Sequence, residues 1–225
     1  IKMSMKYKGP THFVNVPAEA LAEMEQKIQC DNCGARYAVI GSAFFCPCCG
    51  KNSARLTFTN TIEKVRAKVR NIDAIKELIS QTSKDEAART CTSLLESCVP
   101  DLVVAFQRVC ECVYPQLPGA GSLRRNVFQR LDDGSALWRN LVGQGYEDWV
   151  DSSEMSSLRI CFQQRHLFQH QDGIVDQDYI DKSGDTTYQI GQHIIVKKED
   201  VLLYTDIVEK IGNHVLGLLG GTTHE

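Results

Sequence analysis

No apolar run in this chain approaches the roughly 18 residues that a membrane-crossing helix needs, so no membrane association is expected. The opening "IKMSMKYKGP" has no apolar stretch of the kind at the heart of a secretory leader, which predicts an intracellular, cytoplasmic setting. Positive charge is not in surplus either: 25 Lys and Arg stand against 28 Asp and Glu, a formal net charge of −3. Global attraction to nucleic acid is thereby excluded, and any polyanion site must be a local patch. Internal repeats and low-complexity tracts are also missing, so neither a solenoid nor a biased tail is expected.

What the chain does carry is cysteine, ten residues of it. Five crowd into residues 30 to 49, and the other five (Cys91, Cys98, Cys110, Cys112 and Cys161) lie in helix-like sequence. In an intracellular chain, metal binding plus reduced core thiols accounts for this better than a disulfide framework. "CDNCG" and "CPCCG" supply two Cys-x-x-Cys pairs, Cys30/Cys33 and Cys46/Cys49, separated by twelve residues. Four thiolates in two such turns can surround Zn²⁺ tetrahedrally, and Gly34 and Gly50 each follow a pair where the chain must turn tightly. The segment between, "ARYAVIGSAFF", has β-rich halves broken at Gly41 and Ser42 and predicts a hairpin. The pattern resembles a zinc ribbon. With four thiolates no coordination position is open, so the zinc, one per chain, is expected to be structural and no catalytic metal is expected. Cys48 is left over.

Upstream, "PAEALAEMEQKI" predicts a helix with Pro17 in its first turn and Leu21, Met24 and Ile28 on one face. Downstream, the character turns α-helical. Ile62, Val65, Val69, Ile72, Ile75 and Ile79 recur at spacings of three or four, opposite a basic stripe of Lys64, Arg66, Lys68 and Arg70. That stripe reads first as a solvated face and second as a polyanion contact. A second helix is expected over about 85 to 113, with Cys91, Leu94, Leu95, Cys98, Leu102, Ala105 and Val109 buried and Pro100 as a kink or break. "YPQLPGAGS" is a break. A third helical region is expected over about 122 to 147, with Val127, Leu131, Leu137, Trp138 and Leu141 in the core. A fourth covers about 153 to 171, short strand-like pieces follow within "KSGDTTYQIGQHIIV", and a last helix begins near Lys198, burying Val201, Leu202, Ile207, Ile211, Val215 and Leu218. The expectation is a mainly α protein: a small β ribbon over residues 1–57 and a helical domain over 58–225.

The fourth helix carries the densest chemistry, "CFQQRHLFQHQDG". With Arg165 set at 0° and about 100° per residue, Gln169, His166 and His170 fall at about 40°, 100° and 140°. Ile160, Cys161, Leu167 and Phe168 fall on the opposite arc, and Phe162 breaks the separation. One permanent cation and two imidazoles are the minimum kit for cleaving RNA without a metal: a base for the 2′-hydroxyl, an acid for the leaving oxygen, a cation for the phosphorane. Arg165 and His170 flank a face instead of sharing a point, so one copy makes a loose site and two apposed copies a compact one.

"RHLFQH" resembles the Arg-polar-x3-His motif of the HEPN superfamily, all-α proteins that include metal-independent ribonucleases of toxin–antitoxin, antiphage and RNA-processing systems. The resemblance implies a HEPN-like helical bundle in which Arg165 and His170 are the catalytic pair and His166 holds the motif's polar position. It also implies a homodimer whose two motifs form one cleft, RNA as substrate, and products ending in a 2′,3′-cyclic phosphate and a 5′-hydroxyl. Gln169 is expected to help bind substrate, and a protein partner such as an antitoxin would fit such a system.

Other readings of the same residues stay open. The helix face can be merely solvated. His166 and His170 can share a metal with Asp172, Asp176 or Asp178, although a His-Glu-x-x-His motif is ruled out by Leu167. The whole can be a non-catalytic module that holds RNA or a protein, or a sensor with the ribbon as its recognition domain. His12, His193 and His214 have no partner in the linear sequence.

Overall fold

The computed structural model describes residues 25–40 and 44–219. The chain divides into two compact units, Ile1–Ser53 and Ala54–Glu225. The boundary falls slightly before the expected residue 58, because the first long helix already begins at Ala54.

In the first unit, β1 (Glu25–Gln29) pairs antiparallel with β2 (Arg36–Ile40), Glu25 opposite Ile40 and Gln29 opposite Arg36. This corrects one expectation. Glu25 to Ile28 are strand, not the end of a helix, and the remainder of the expected helix lies outside the described residues. The described hairpin encloses the first Cys-x-x-Cys turn, with β1 as the partner of β2, while Gly41 and Ser42, the expected break of a hairpin, lie outside the described residues. Periodicity misleads here because Met24 and Ile28 fit a 3.6-residue repeat, whereas Gln26 and Ile28 fit the period of two that the sheet uses, both half-buried between exposed neighbours. A single bridge between Phe45 and Asn52 closes the chain around the second Cys-x-x-Cys turn in the same way.

The second unit is helical. α1 (Ala54–Ser80) and α2 (Lys84–Val113) form a hairpin, and α7 (Lys198–Gly217) packs against both. Between them come α3 (Leu131–Val142), the single turn α4 (Tyr146–Trp149), α5 (Ser152–His170) and the short α6 (Gln177–Ser183). The stripe on α1 is buried at Phe58, Ile62, Val65, Val69 and Ile72, while Ile75 and Ile79 are half-buried near its end. α2 starts at Ser83, whose hydroxyl accepts from the Glu86 N–H at 3.2 Å, and it runs through Pro100 without a break. Proline there removes the bond to the Glu96 carbonyl, but burial of Cys98, Val99, Leu102 and Val103 on either side holds the helix together.

The expected third helical region is interrupted. A 3-10 turn at Val127–Gln129 precedes α3, and Gly143, at φ +80°, ends α3 before α4 begins. Trp138 and Tyr146 sit at the centre of an aromatic cluster with Tyr114, Phe128 and Trp149, and the Trp138 indole N–H donates to the Tyr146 hydroxyl at 3.2 Å. Cys98, Cys110 and Cys161 are fully buried among these apolar side chains, so they act as small hydrophobes. Leu202, expected inside, is 38 % exposed on α7.

The basic stripe of α1 is largely consumed by neighbouring acids. Arg66 pairs with Asp206 and Glu209 of α7 at 2.7 and 2.6 Å, and Lys68 pairs with Asp101 of α2 at 2.8 Å. The segment after α6 forms no strand among the described residues, only an isolated bridge between Ile174 and His193. A buried polar knot holds it instead. The Tyr179 hydroxyl donates to Asp185 at 2.6 Å, and the Asp185 carboxylate also accepts from the Thr187 N–H and hydroxyl.

Candidate functional site

α5 is set up by its ends. The Asp151 carboxylate accepts from the Ser153 and Glu154 N–H groups, while Glu154 reaches back to the Asp151 N–H at 2.9 Å, a reciprocal cap. At the other end the Leu167 carbonyl accepts from both Gln171 and Gly173 at 2.8 and 3.1 Å. Asp172 and Gly173 take φ of +49° and +75° to make that exit.

Two sides of α5 are buried, not one. Met155, Leu158, Cys161 and Phe162 join the main core, with Phe162 edge-on to Phe106 of α2 at 5.3 Å. Leu167 instead joins a second cluster with Val175, Tyr179 and Ile194. The core face therefore centres near Phe162 and Cys161, and Ile160 and Phe168 lie at its partly buried margins. This shifts the expected division of the helix. Arg165 projects from the last turn of the core-facing side, not from the middle of the wet side, while His166, Gln169 and His170 form the exposed strip.

The consequence for Arg165 is electrostatic. It is half-buried, and its Nε, buried from solvent, has no hydrogen-bond partner among the described residues. Burial lowers its pKa, and no acidic group offsets that. The neighbouring Gln164, 3 % exposed, likewise has an unpaired Oε1. Arg66, Arg130, Arg139 and Arg159 each hold a carboxylate, whereas Arg165 combines partial burial with no ion pair among the described residues.

His166 and His170 do come together, with ring centroids 4.8 Å apart. The pKa of His166 is lowered by its own partial burial and then by the charges of His170, Lys182 and, more weakly, Arg165. Two imidazolium ions at that separation would repel, which adds to burial in disfavouring the cationic form of His166. Among the described residues, Asp172, Asp176 and Asp178 do not join the two histidines in a cluster of metal ligands. Asp176 caps α6 by accepting from the Tyr179 N–H at 2.8 Å, and Asp178 pairs with Lys182 at 2.6 Å.

One further group reaches the end of α5. The His193 ring lies against the Gly173 backbone, and its Nδ1 is 2.7 Å from the Ile194 carbonyl, to which it donates. Its charge is also felt by the half-buried Glu96 of α2, whose pKa burial raises. Nothing in the linear sequence signals this, because His193 stands 23 residues after His170 with a helix between.

The second chemical centre lies in the first unit. The four Sγ atoms of Cys30, Cys33, Cys46 and Cys49 lie within 4.8 Å of one another, with Cys30 to Cys49 and Cys33 to Cys46 both at 3.7 Å. A disulfide would need about 2.05 Å. A tetrahedron with metal–sulfur bonds of about 2.3 Å has an edge of about 3.8 Å, which these separations match. The two turns are copies of each other. Cys30 N–H donates to the Ala35 carbonyl and Gly34 N–H to the Cys30 carbonyl, and Cys46, Lys51 and Gly50 repeat the pattern, all at 2.9 Å. Gly34 and Gly50 share φ +71°, which a side chain would strain. A hydrogen bond from the Lys51 N–H, opposed by burial and aided by Cys30, Asn32 and Cys33, lowers the Cys49 thiol to about 6. The Ala35 N–H favours the Cys33 thiolate, but burial and the other three sulfurs push Cys33 up to about 12. Four thiols so crowded ionise together only when a cation takes up their charge, so the donor set fits a thiophilic metal. Cys48 is exposed and outside the cluster. No helix among the described residues is long and apolar enough to cross a membrane.

No protein-family model matches this chain, and neither the curated proteins nor the solved structures contain a match to it.

Proposed function

We propose that this protein is a metal-independent endoribonuclease of the HEPN type, with a helical domain that works as a homodimer and a ribbon held by a structural zinc ion. One observation carries the reading: Arg165 is a half-buried guanidinium without a counter-charge or Nε partner, one residue from a histidine whose cationic form burial disfavours. A folded protein tolerates an unpaired, partly desolvated cation where a ligand supplies the anion, and a scissile phosphate is such a ligand.

In this mechanism Arg165 hydrogen-bonds the non-bridging phosphate oxygens. Neutral His166 accepts the 2′-hydroxyl proton, the 2′-oxygen attacks phosphorus, and His170 protonates the departing 5′-oxygen. The P–O5′ bond breaks as the P–O2′ bond forms, leaving a 2′,3′-cyclic phosphate and a 5′-hydroxyl. Gln169, on the exposed strip with the histidines, contacts the RNA. Arg165 and His170 lie about 140° apart around α5, so a second copy facing the first brings an arginine and a histidine to one phosphate. Such an activity suits a toxin, antiphage or stress-response system.

The test is cleavage of labelled single-stranded RNA and tRNA in excess chelator, beside an Arg165→Ala/His170→Ala variant. Cleavage by the wild type alone, with cyclic-phosphate ends, is the expected result. RNA binding without shortening would replace the ribonuclease with a recognition module on the same helix face.

A further inference from the structure

Away from α5, the loop between α2 and α3 carries "SLRRNVFQR", and its conformation is fixed from inside. Gln107 of α2, 8 % exposed, donates to Asn126 at 3.2 Å and to Glu111 at 2.7 Å, and accepts from Gln129. Asn126 takes a left-handed φ of +57°, a conformation asparagine tolerates better than most residues. Pinned at Asn126 and Gln129, the loop presents Arg124 and Arg125 to solvent, beside the α2 residue, Gln107, that precedes Arg108. None of Arg108, Arg124 and Arg125 has a carboxylate partner among the described residues, whereas Arg130, in the same segment, is tied to Asp133. In a chain of net charge −3, Arg124 and Arg125 are two adjacent exposed cations without an ion pair among the described residues.

A groove of about 310 Å³ opens beside Arg124. Val127, Ala136 and Leu137 make its apolar lining, and Ser122 and Asn140 add hydrogen-bonding groups. Asp133, also on its wall, has its charge taken by Arg130. Ligand pockets run from about 300 Å³ upwards, so the groove is at the small end of that range, with room for about one base. We infer that this groove, with Arg124 on its wall and the adjacent exposed Arg125, forms a docking site for single-stranded RNA, distinct from the α5 face. One base lies on the apolar lining with its edge toward Asn140, and the flanking phosphates meet the arginines. An acidic peptide would satisfy the arginines but has no planar group for the groove, so RNA is the better match. The inference rests on the ribonuclease reading for its choice of RNA and deepens it, since a substrate held here is long enough to be presented to α5.

The experiment measures binding of a fluorescent 2′-O-methyl 12-mer, which lacks the nucleophile and stays intact, to the full chain across a salt series. Ordinary RNA is tested for cleavage in parallel. Arg124→Ala/Arg125→Ala should bind about tenfold more weakly and lower the log–log salt slope by about 1.4, two phosphate contacts at about 0.7 each. Asn140→Leu should weaken binding and leave the slope unchanged. Wild-type affinity and slope in the double variant, or no binding by the wild type, would overturn the site. Equal competition by polyglutamate, with Asn140→Leu unaffected, would make it an acidic-peptide surface and overturn the RNA assignment. If the wild type cleaves RNA while the double variant still binds normally, this site fails and the ribonuclease stands. If the double variant loses binding and the wild type never cleaves, the ribonuclease fails and this site stands.

Discussion

Replacing Arg165 by methionine should make the protein more stable while abolishing its proposed activity. Its Nε–H is buried without an acceptor, a situation that costs about 1–3 kcal/mol. The group is only half-buried and solvent screens its charge, so the low end applies, about 1 kcal/mol. Methionine keeps an unbranched stem against the same neighbours, so little apolar contact is lost. The expected gain of about 1 kcal/mol corresponds to roughly 2–4 °C in Tm for a unit of this size. Thermal unfolding followed by far-ultraviolet circular dichroism reads it directly, because the signal comes mainly from the helical unit. Adding a short uncleavable RNA should raise the Tm of the wild type by more than that of the Met variant, which keeps the groove beside Arg124 but has lost the Arg165 guanidinium. A Met variant less stable than wild type by 1 kcal/mol or more would refute the reasoning, for it would show that Arg165 is satisfied within the fold.

Purified protein should hold one metal ion per chain, and cobalt in its place should show intense thiolate-to-metal absorption; Cys33→Ser/Cys49→Ser should lose both while the helical signal persists, and a metal-free protein with two disulfides would contradict the tetrahedral reading. Gly173→Ala would place a methyl 2.8 Å from His193 Nε2 on a backbone at φ +75°, so the urea midpoint should fall by the equivalent of about 2 kcal/mol; no change would show that the imidazole is not seated there. An NMR titration should find His166 below its ordinary 6.5, because burial and then His170 and Lys182 oppose its cationic form, and His170→Gln should raise the midpoint. Since unfolded His166 binds its proton more tightly than folded His166, this group withdraws stability as pH falls below about 6.5 and restores it as pH rises.

Features set by near neighbours were legible in the linear sequence. The Cys-x-x-Cys turns are closed by hydrogen bonds within six residues of each other, so their spacing alone brings two sulfurs together, and a second copy of the turn supplies the other two. The stripes of α1, α2 and α7 could be read because a helix repeats every 3.6 residues whatever lies across from it. Even so, their edges failed where coverage ran out, at Ile75, Ile79 and Leu202. The sequence points to a helix over β1 because a strand's partner is chosen by pairing, and five residues with a single apolar side chain, Ile28, satisfy either period.

The candidate site divides along the same line. Arg165, His166, Gln169 and His170 could be picked out because they share one helix, and helix geometry predicts their angular order. Which of them is buried could not be read there. Arg165 is half-buried because α5 turns Phe162 toward Phe106 of α2, a contact between positions 56 residues apart, and that orientation carries Arg165 to the core side. His193 reaches Gly173, and the Gln107 side chain holds the loop of Arg124 and Arg125, through the same long-range closure. The sequence by itself determined the local turns, the helices and the inventory of charge. Tertiary structure alone decided which charges lost their water and which kept a partner, because desolvation depends on what the rest of the chain folds over a residue.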